Sequence, residues 1–121
     1  MKTDAITISP NKTVSDAKWL FHVHRIGGLP VVEDGKLIGI FTLADLKKGR
    51  AGTTKIRAVM TPNPVVVHAD EKLGEVFDKM ADNRIGRIPV VSSDGKTLVG
   101  LVSLSDIQNL SRMHALRDYF G

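Results

Sequence analysis

The apolar positions near the start of the chain recur with the period of a helix. Val14, Ala17 and Phe21 follow one another at spacings of three and four residues, which predicts an amphipathic helix ending near residue 24. Gly27 and Gly28 are expected to stop this helix. Thr13 with Asp16 three residues later forms the sequence of a capping box. We therefore expect the helix to begin immediately after Thr13.

The apolar pattern then changes to that of strands. Residues 29–32 and 37–41 are β-rich runs separated by a turn that contains Asp34 and Gly35, the sequence of a tight hairpin. A short strand over residues 6–8 is predicted before the first helix, and a second helix is predicted from Thr42 to about Lys48. This half of the chain therefore has the predicted order β-α-β-β-α.

The same order occurs twice. Residues 25–32 return as residues 84–91, and residues 39–46 return as residues 100–107. The second half again predicts a strand (65–67), a helix with an apolar face, a hairpin around an Asp-Gly turn and a final helix. Its helix face and final-helix positions are Leu73, Val76, Phe77, Met80, Ile107, Leu110 and Leu116.

A half of about 60 residues is marginal as an independent domain, so the two copies are expected to bury surface against each other. We predict an α+β fold of two pseudo-symmetric units packed sheet to sheet. The predicted boundaries are residues 1–50 for the first unit, 51–58 for a linker and 59–121 for the second unit with its C-terminal helix.

The composition is that of a water-soluble globular protein. Of 121 residues, 42% are hydrophobic and 25% charged, and there is no cysteine, which excludes disulfides and thiolate chemistry. No apolar run is long enough to span a bilayer, and the start of the chain lacks the apolar stretch of a secretory signal. We expect a cytoplasmic protein without a membrane span.

Charge and histidine spacing narrow the possible ligands. The net charge of +4 favours anionic partners, although it also serves solubility. His22 and His24 are two residues apart and point in different directions on a helix, while His68 and His114 have no ligand-spaced partner, so no metal site is expected. No nucleophile–base order or Walker-type loop is present, and we expect no enzymatic activity.

The most informative polar motif stands where the second strand of each hairpin meets a helix. Thr42 precedes Asp45 by three residues, and Ser103 precedes Asp106 in the same way. The pattern is a capping box, which satisfies the free N–H groups of a helix start. The same geometry also offers free N–H donors to an anion and a carboxylate to a ribose diol. Both interpretations remain open on the motif alone.

The whole chain resembles a pair of cystathionine-β-synthase (CBS) domains, the tandem known as a Bateman module. The resemblance is carried by IGGLPVVEDGKLIGIFTLAD at residues 26–45, by its repeat in the second half, and by VMTPNPV at residues 59–65. It implies a non-catalytic regulatory module that binds an adenine nucleotide or related adenosyl ligand between the copies. It also implies a homodimer, to which Trp19, Phe21 or the final helix could contribute contacts, and an effector protein or fused domain as partner.

The resemblance also implies site residues. Asp45 and Asp106 are the ribose candidates, with Thr42 and Ser103 beside them, and Arg87, Lys55 and Arg57 are phosphate candidates. The second copy, which has Arg87 where the first has Gly28, is expected to hold the more complete pocket. The implied adenine pocket is formed by Thr3, Ala5, Ile6, Leu29 and Pro30 in the first copy and by Thr61, Pro64, Val65, Ile88 and Pro89 in the second.

Two other functions remain open. In the first, both Thr/Ser-x-x-Asp motifs are only helix caps, and the module is a dimerisation or interaction domain without a ligand. In the second, a basic stretch contacts nucleic acid, which would give a strongly salt-dependent affinity. That stretch contains Lys47, Lys48, Arg50, Lys55 and Arg57.

Overall fold

A computed structural model describes residues 6–49 and 51–105 of the chain. Its elements are α1 (Val14–His24), β1 (Gly28–Glu33), β2 (Lys36–Thr42), α2 (Leu43–Leu46), α3 (Ile56–Val59), β3 (Thr61–Pro62), β4 (Val67–His68), α4 (Leu73–Asn83), β5 (Arg87–Val91) and β6 (Leu98–Ser103). In each half the first helix and the hairpin that follows it occur in the predicted order, and a short helix (α3) and a short strand (β3), neither of them predicted, lie between the halves.

The first sheet has the strand order β1-β2-β3 and is built on the predicted hairpin. Glu33 pairs with Lys36, so only Asp34 and Gly35 form the turn. Both turn residues have positive φ, 51° and 76°, as a two-residue turn compatible with strand twist requires. The sequence prediction of this hairpin is confirmed.

The second sheet has the order β4-β5-β6, with β4 parallel to β5 and β5 antiparallel to β6. A register shift lies between Val90 and Val91, matching the one between Val31 and Val32 in the first sheet. Two sheets with helices, repeated along the chain, confirm the α+β class and its internal symmetry.

Several boundaries differ from the prediction. The strand expected at residues 6–8 is a single parallel bridge between Ile8 and Val31. The strand expected at 65–67 is displaced to β4, and α2 is one turn long instead of reaching Lys48. The last predicted helix falls mostly on residues 106–121, which lie outside the described residues.

The residue that ends α1 also differs from the prediction. Gly27 and Gly28 were expected to stop this helix, but the left-handed residue after His24 is Arg25, with φ of 51°. Arg84 takes the same conformation after α4, with φ of 54°. In each copy the N–H two residues after the last helical residue donates to a carbonyl of the last helical turn, which compensates a conformation unusual for a non-glycine residue.

Each copy has its own apolar core between helix and sheet. Phe21 of α1 stacks on Phe41 of β2 with ring centroids 6.0 Å apart, and Met80 of α4 occupies the position equivalent to Phe21. The first cluster is Ile8, Val14, Ala17, Phe21, Leu29, Val31, Phe41 and Ile56, and the second is Val67, Val76, Met80, Ile88, Val90 and Val102.

The faces of β1 and β5 that point away from these clusters are buried as well. Pro30 and Pro89 are fully buried but belong to neither cluster. A Cβ added to Gly28 would lie 3.4 Å from Cδ2 of Leu101 in the other sheet. The two sheets therefore contact each other through β1 on one side and β5 and β6 on the other.

Residues 51–59, which include the predicted linker, pack on the first copy. The N–H of Val14 donates to the carbonyl of Thr54 at 2.9 Å, and that of Ile56 donates to the carbonyl of Lys12 at 2.9 Å. Ile56 is fully buried in the first cluster. The boundary residues stay a prediction, but this segment is held in place by the first core.

The next segment also joins the first sheet. β3 pairs with β2, and a Cβ added to Gly39 would lie 2.9 Å from the carbonyl oxygen of Thr61. A glycine is thus needed at this position of β2, because the backbone of β3 approaches it closely. Within the part of the chain that the structure describes, no helix is long and apolar enough to cross a membrane.

We predict that Ile56→Ala lowers the free energy of unfolding by about 3 kcal/mol, because it leaves a cavity in the first core. Lys55→Ala, an exposed neighbour, is the matched control and should change it by less than about 0.5 kcal/mol. Chemical denaturation measures both values. Equal effects of the two substitutions would contradict the assignment of residues 51–59 to the first core.

A pH-dependent contribution to stability is predicted at Glu71. The backbone N–H of His68 donates to the Glu71 carboxylate at 3.0 Å and Nζ of Lys79 donates to it at 3.1 Å, and these bonds hold the pKa of Glu71 below its usual value. Because the folded-state pKa is lowered, this stability is present above about pH 4.5 and is lost as the pH falls through the folded-state value. Glu71→Gln should therefore be less stable than the wild type at pH 7, and the difference should shrink in denaturation curves at pH 3. A difference that does not change with pH would contradict the role of the charge.

Candidate functional site

The junction between β2 and α2 forms a complete capping box. The N–H of Thr42 donates to Oδ2 of Asp45 at 2.9 Å, and the Thr42 hydroxyl lies 3.1 Å from the same oxygen. The N–H of Asp45 donates in return to the Thr42 hydroxyl at 3.4 Å. The geometry repeats that of Thr13 and Asp16 at the start of α1. One carboxylate oxygen of Asp45 is therefore committed to the cap.

The other oxygen of Asp45 has a different partner. Oδ1 accepts a hydrogen bond from Nζ of Lys48 at 3.3 Å. The side chain of Asp45 is only 10% exposed, whereas that of Lys48 is 65% exposed. A lysine so exposed gains little from the ion pair and is readily exchanged for another donor. Oδ1 is thus the atom of Asp45 that a ligand hydroxyl can reach at small cost.

Some of the N–H groups expected to be free at this helix start already donate hydrogen bonds within the protein. The N–H of Leu43 donates to the carbonyl of Gly27 at 3.0 Å, and that of Asp45 is bound by Thr42. The second copy repeats the first contact, since the N–H of Leu104 donates to the carbonyl of Gly86 at 2.8 Å. The expectation that these donors are available to an anion is wrong for Leu43, Asp45 and Leu104, because the fold uses them to join helix start to strand.

The second copy shows only part of the equivalent site. Ser103 is the last residue of β6, half-buried, at the place that Thr42 has in β2. Asp106 lies outside the described residues, as do Thr3 and Ala5 of the predicted adenine pocket. Their roles stay predictions.

Arg87 lies between the two copies. A Cβ added to Gly27 would lie 2.6 Å from Cζ of Arg87, and one added to Gly28 would lie 2.8 Å from its Cδ. The Arg87 side chain thus crosses over the glycine pair of the first copy. It has no salt bridge within residues 6–49 and 51–105, where the described cation–carboxylate pairs involve Lys48, Arg57, His68 and Lys79.

The other two phosphate candidates are placed less favourably. Arg57 forms an ion pair with Glu33 at the end of β1, so its charge is already compensated. Lys55 is exposed and lies immediately before α3, where its backbone forms an antiparallel bridge with Thr13. Among the described residues, neither of them forms a hydrogen bond or an ion pair with Arg87 or Asp45, and their phosphate role stays a prediction.

The residues of the predicted adenine pocket lie in different environments in the structure. Leu29 and Ile88 are fully buried, each with its side chain in the core of its own copy, and their role in the adenine pocket stays a prediction. Pro30 and Pro89 are also fully buried, on the faces where the sheets meet. The more accessible members of the predicted set are Ile6, Thr61, Pro64 and Val65.

Two surface grooves lie outside these residues. One, of about 280 Å³, runs beside α1 and is lined in part by Lys12, Asp16 and Trp19. The other, of about 360 Å³, lies between α4 and the start of the last helix and includes Phe77 and Leu104. Trp19 is 62% exposed, whereas Phe21 is buried in the first core, so only Trp19 of that predicted pair is available for an interface.

Sequence reasoning missed two features of the site. Lys48 was treated as part of a basic stretch, although its position three residues after Asp45 was a signal for the ion pair. Gly27 was treated as a helix terminator, whereas it receives both the Leu43 N–H and the Arg87 side chain. No group of three His, Asp or Glu residues suited to a metal was found among the residues with described positions.

Comparison with known proteins identifies the family. The CBS domain model matches this chain twice, at residues 1–52 and 56–112. The chain belongs to the CBS domain family. A CBS domain-containing protein of Bacillus subtilis, YhcV, is 37% identical over 112 residues, covering 88% of this chain and 79% of its own length.

Longer relatives contain this module as a small part. An inosine-5'-monophosphate dehydrogenase of Methanocaldococcus jannaschii is 38% identical over 105 residues, which cover 86% of this chain. The match spans only 21% of that enzyme, so the dehydrogenase activity in its name is not evidence of catalysis in this chain.

Solved structures give the same tandem fold. The CBS domain pair of protein MJ0100, in complex with 5-methylthioadenosine and S-adenosyl-L-methionine, has a TM-score of 0.86 and 33% identity, covering 94% of this chain and 93% of its own. CBSX2 in complex with AMP has a TM-score of 0.80 and 25% identity, covering 93% of this chain and 90% of its own. The first of these neighbours is a CBS domain pair with two adenosyl compounds, and the second was solved with AMP.

The two capping boxes of the first copy provide a matched pair for stability. We predict that Asp45→Ala and Asp16→Ala each lower the free energy of unfolding by a similar amount, because each removes the carboxylate of a box with the same 2.9 Å backbone bond. Thermal or chemical denaturation of the two variants measures this. A much larger loss for Asp45→Ala would show that its carboxylate has a structural role beyond the cap.

Proposed function

We propose that this chain is a non-catalytic regulatory module that binds an adenine nucleotide or a related adenosyl ligand between its two CBS copies. The observation that carries the proposal is the similarity of this chain to a CBS pair in complex with two adenosyl compounds. The two chains match over nearly their full length, with the same fold and 33% sequence identity. The AMP complex of a second CBS protein of similar fold supports the same ligand class.

The chemistry at Asp45 suits a ribose. Oδ2 stays in the helix cap, while Oδ1 exchanges the Nζ of Lys48 for a ribose hydroxyl. The exchange replaces one donor by another at a carboxylate that is otherwise nearly buried, so no polar atom is left without a partner. The Thr42 hydroxyl, 3.1 Å from Oδ2, fixes the orientation of the carboxylate.

The base is placed by the predicted residues that remain accessible. The surface near the first strand of each copy is mostly apolar. It is formed by Ile6 in the first copy and by Thr61, Pro64 and Val65 in the second. A flat base bound there is held by apolar contact, whereas the ribose fixes its position. Asp106 and Ser103 provide the second ribose site of the pair.

Regulation requires that the ligand bind one arrangement of the two copies better than another. A ligand that contacts both copies meets this requirement, because a change in their relative position alters its contacts. The effector protein or fused domain reads that change, and a homodimer formed through exposed helix faces, including Trp19, extends it to a second chain.

The direct test is calorimetric titration of the purified wild type with adenosine, AMP, ADP, ATP and S-adenosylmethionine. We predict saturable binding of at least one of these compounds. Asp45→Ala should weaken it at least tenfold through loss of the ribose contact, whereas Asp16→Ala, the other capping-box variant, should bind like the wild type.

The complete capping box favours a second candidate, an interaction module in which Asp45 serves only the helix. Absence of binding for all five compounds, with a folded protein, would support that candidate against the proposed one. Binding to RNA or DNA that weakens steeply with salt would instead support a nucleic-acid function.

A further inference from the structure

α1 and α4 each carry an apolar stripe that faces away from the core of its copy. On α1, Trp19 is 62% exposed and Val23 is 47% exposed. On α4, Phe77 is 43% exposed, and Ala81 is exposed as well. The members of each pair are four residues apart, so they lie next to each other along the helix. Exposed apolar stripes on helices that already bury another face in a core are typical of contact surfaces.

Charged stripes of opposite sign run beside these apolar stripes. Lys18 and His22 lie beside the apolar stripe of α1, and Asp78 and Asp82 lie beside that of α4. All four residues are exposed. None of the four takes part in the ion pairs found within residues 6–49 and 51–105. The basic and acidic side chains are therefore available to an outside partner.

The sequence repeat exchanges these stripes between the two copies. α1 and α4 correspond with a shift of 59 positions, so Trp19 aligns with Asp78 and Lys18 aligns with Phe77. One turn later the exchange is repeated by Val23 and Asp82 and by His22 and Ala81. Where the first copy is apolar the second is acidic, and where the first is basic the second is apolar. The two helix faces are therefore complementary to each other, although they belong to copies of the same fold.

Two chains can bring these helices together in two ways. If like helices meet, Asp78 and Asp82 of one chain lie near the same residues of the other, a like-charge contact that weakens association. If α1 meets α4 of the other chain, the apolar stripes can pack on each other while Lys18 and His22 lie beside the aspartates. A two-fold axis forms this second contact twice and closes the dimer. Charge complementarity thus favours the pairing of unlike helices.

A groove beside α4 provides space for the largest of these side chains. This groove, of about 360 Å³, is lined in part by Phe77, Ala81, Ile85 and Leu104. A tryptophan that enters an apolar groove buries a large area and can leave its indole N–H at the rim, and tryptophan often dominates the energy of an interface. The groove therefore fits Trp19 of a second chain.

We propose that two chains associate head to tail, with α1 of each chain packed on α4 of the other. This proposal rests on the homodimer included in the proposed function and narrows it to one arrangement. The two apolar stripes form the centre of each contact, with Trp19 in the groove beside α4. Lys18 lies beside Asp78 at the rim. The first copy of each chain thus contacts the second copy of the other.

Charge reversal at the rim tests which helices meet. Lys18→Glu should raise the Kd of the dimer about tenfold in sedimentation experiments, because it replaces two attractive pairs by two repulsive ones. Adding Asp78→Lys to the same chain should restore the wild-type Kd. Lys96→Glu makes the same charge change at an exposed turn and should have no effect. If like helices meet, Lys18→Glu only exchanges one like-charge contact for another, so an unchanged Kd would overturn the proposal.

Cross-linking locates the contact directly, because the chain has no cysteine of its own. A short bis-maleimide should join Val23→Cys chains to Ala81→Cys chains when the two variants are mixed. Val23→Cys chains alone should give little product. Efficient linking of Val23→Cys to itself would place α1 against α1 and overturn the arrangement, while the homodimer of the proposed function would stand.

A wild type that stays monomeric at high concentration would overturn both the arrangement and the homodimer. Slow reaction of Ala81→Cys with a maleimide in such a monomer would point to residues 106–121 as the occupant of the groove, and fast reaction would point to another protein. Calorimetric titration keeps the ligand question separate. A folded dimer that binds no adenosyl compound would contradict the proposed ligand and leave the head-to-tail arrangement intact.

Discussion

The structure depends on the close contact between the two sheets, because each copy is too small to be stable with one sheet face exposed. β1 and β5 are each buried on both faces. One face of each strand packs against the helix of its own copy, and the other face packs against the sheet of the other copy. Small or rigid residues occupy the inter-sheet positions, among them Gly28, Pro30 and Pro89. The two copies have different residues at one equivalent position of this contact, Gly28 in the first and Arg87 in the second. This position lies between the copies, where a ligand that contacts both would bind.

Much of the fold could be predicted because repeated local signals agree with one another. The helical spacing of Val14, Ala17 and Phe21, the Asp34-Gly35 turn and the repeat of residues 25–32 each indicate the observed elements. The exact strand ends were less predictable, since Ile8 and β4 form only short pairings that tertiary contacts decide. The packing of Ile56 into the first core was not predicted, because the polar residues before it have the composition of a linker.

The site was predictable in its residue types but not in its contacts. The Thr42–Asp45 motif is present as expected, yet no periodicity shows that one carboxylate oxygen serves the cap and the other is held by Lys48. Burial also divides the predicted adenine residues: Leu29 and Pro30 are neighbours in sequence, but they face opposite sides of β1. The contact of Arg87 with Gly27 links residues 60 positions apart and can be recognised only in three dimensions.

These observations describe a module whose two similar halves have unequal chemistry. The decisive measurement is a crystal structure of the chain grown with AMP. The account predicts a ribose hydroxyl on Oδ1 of Asp45 in place of Lys48. AMP bound in the groove beside Phe77, with the Asp45–Lys48 pair intact, would contradict it.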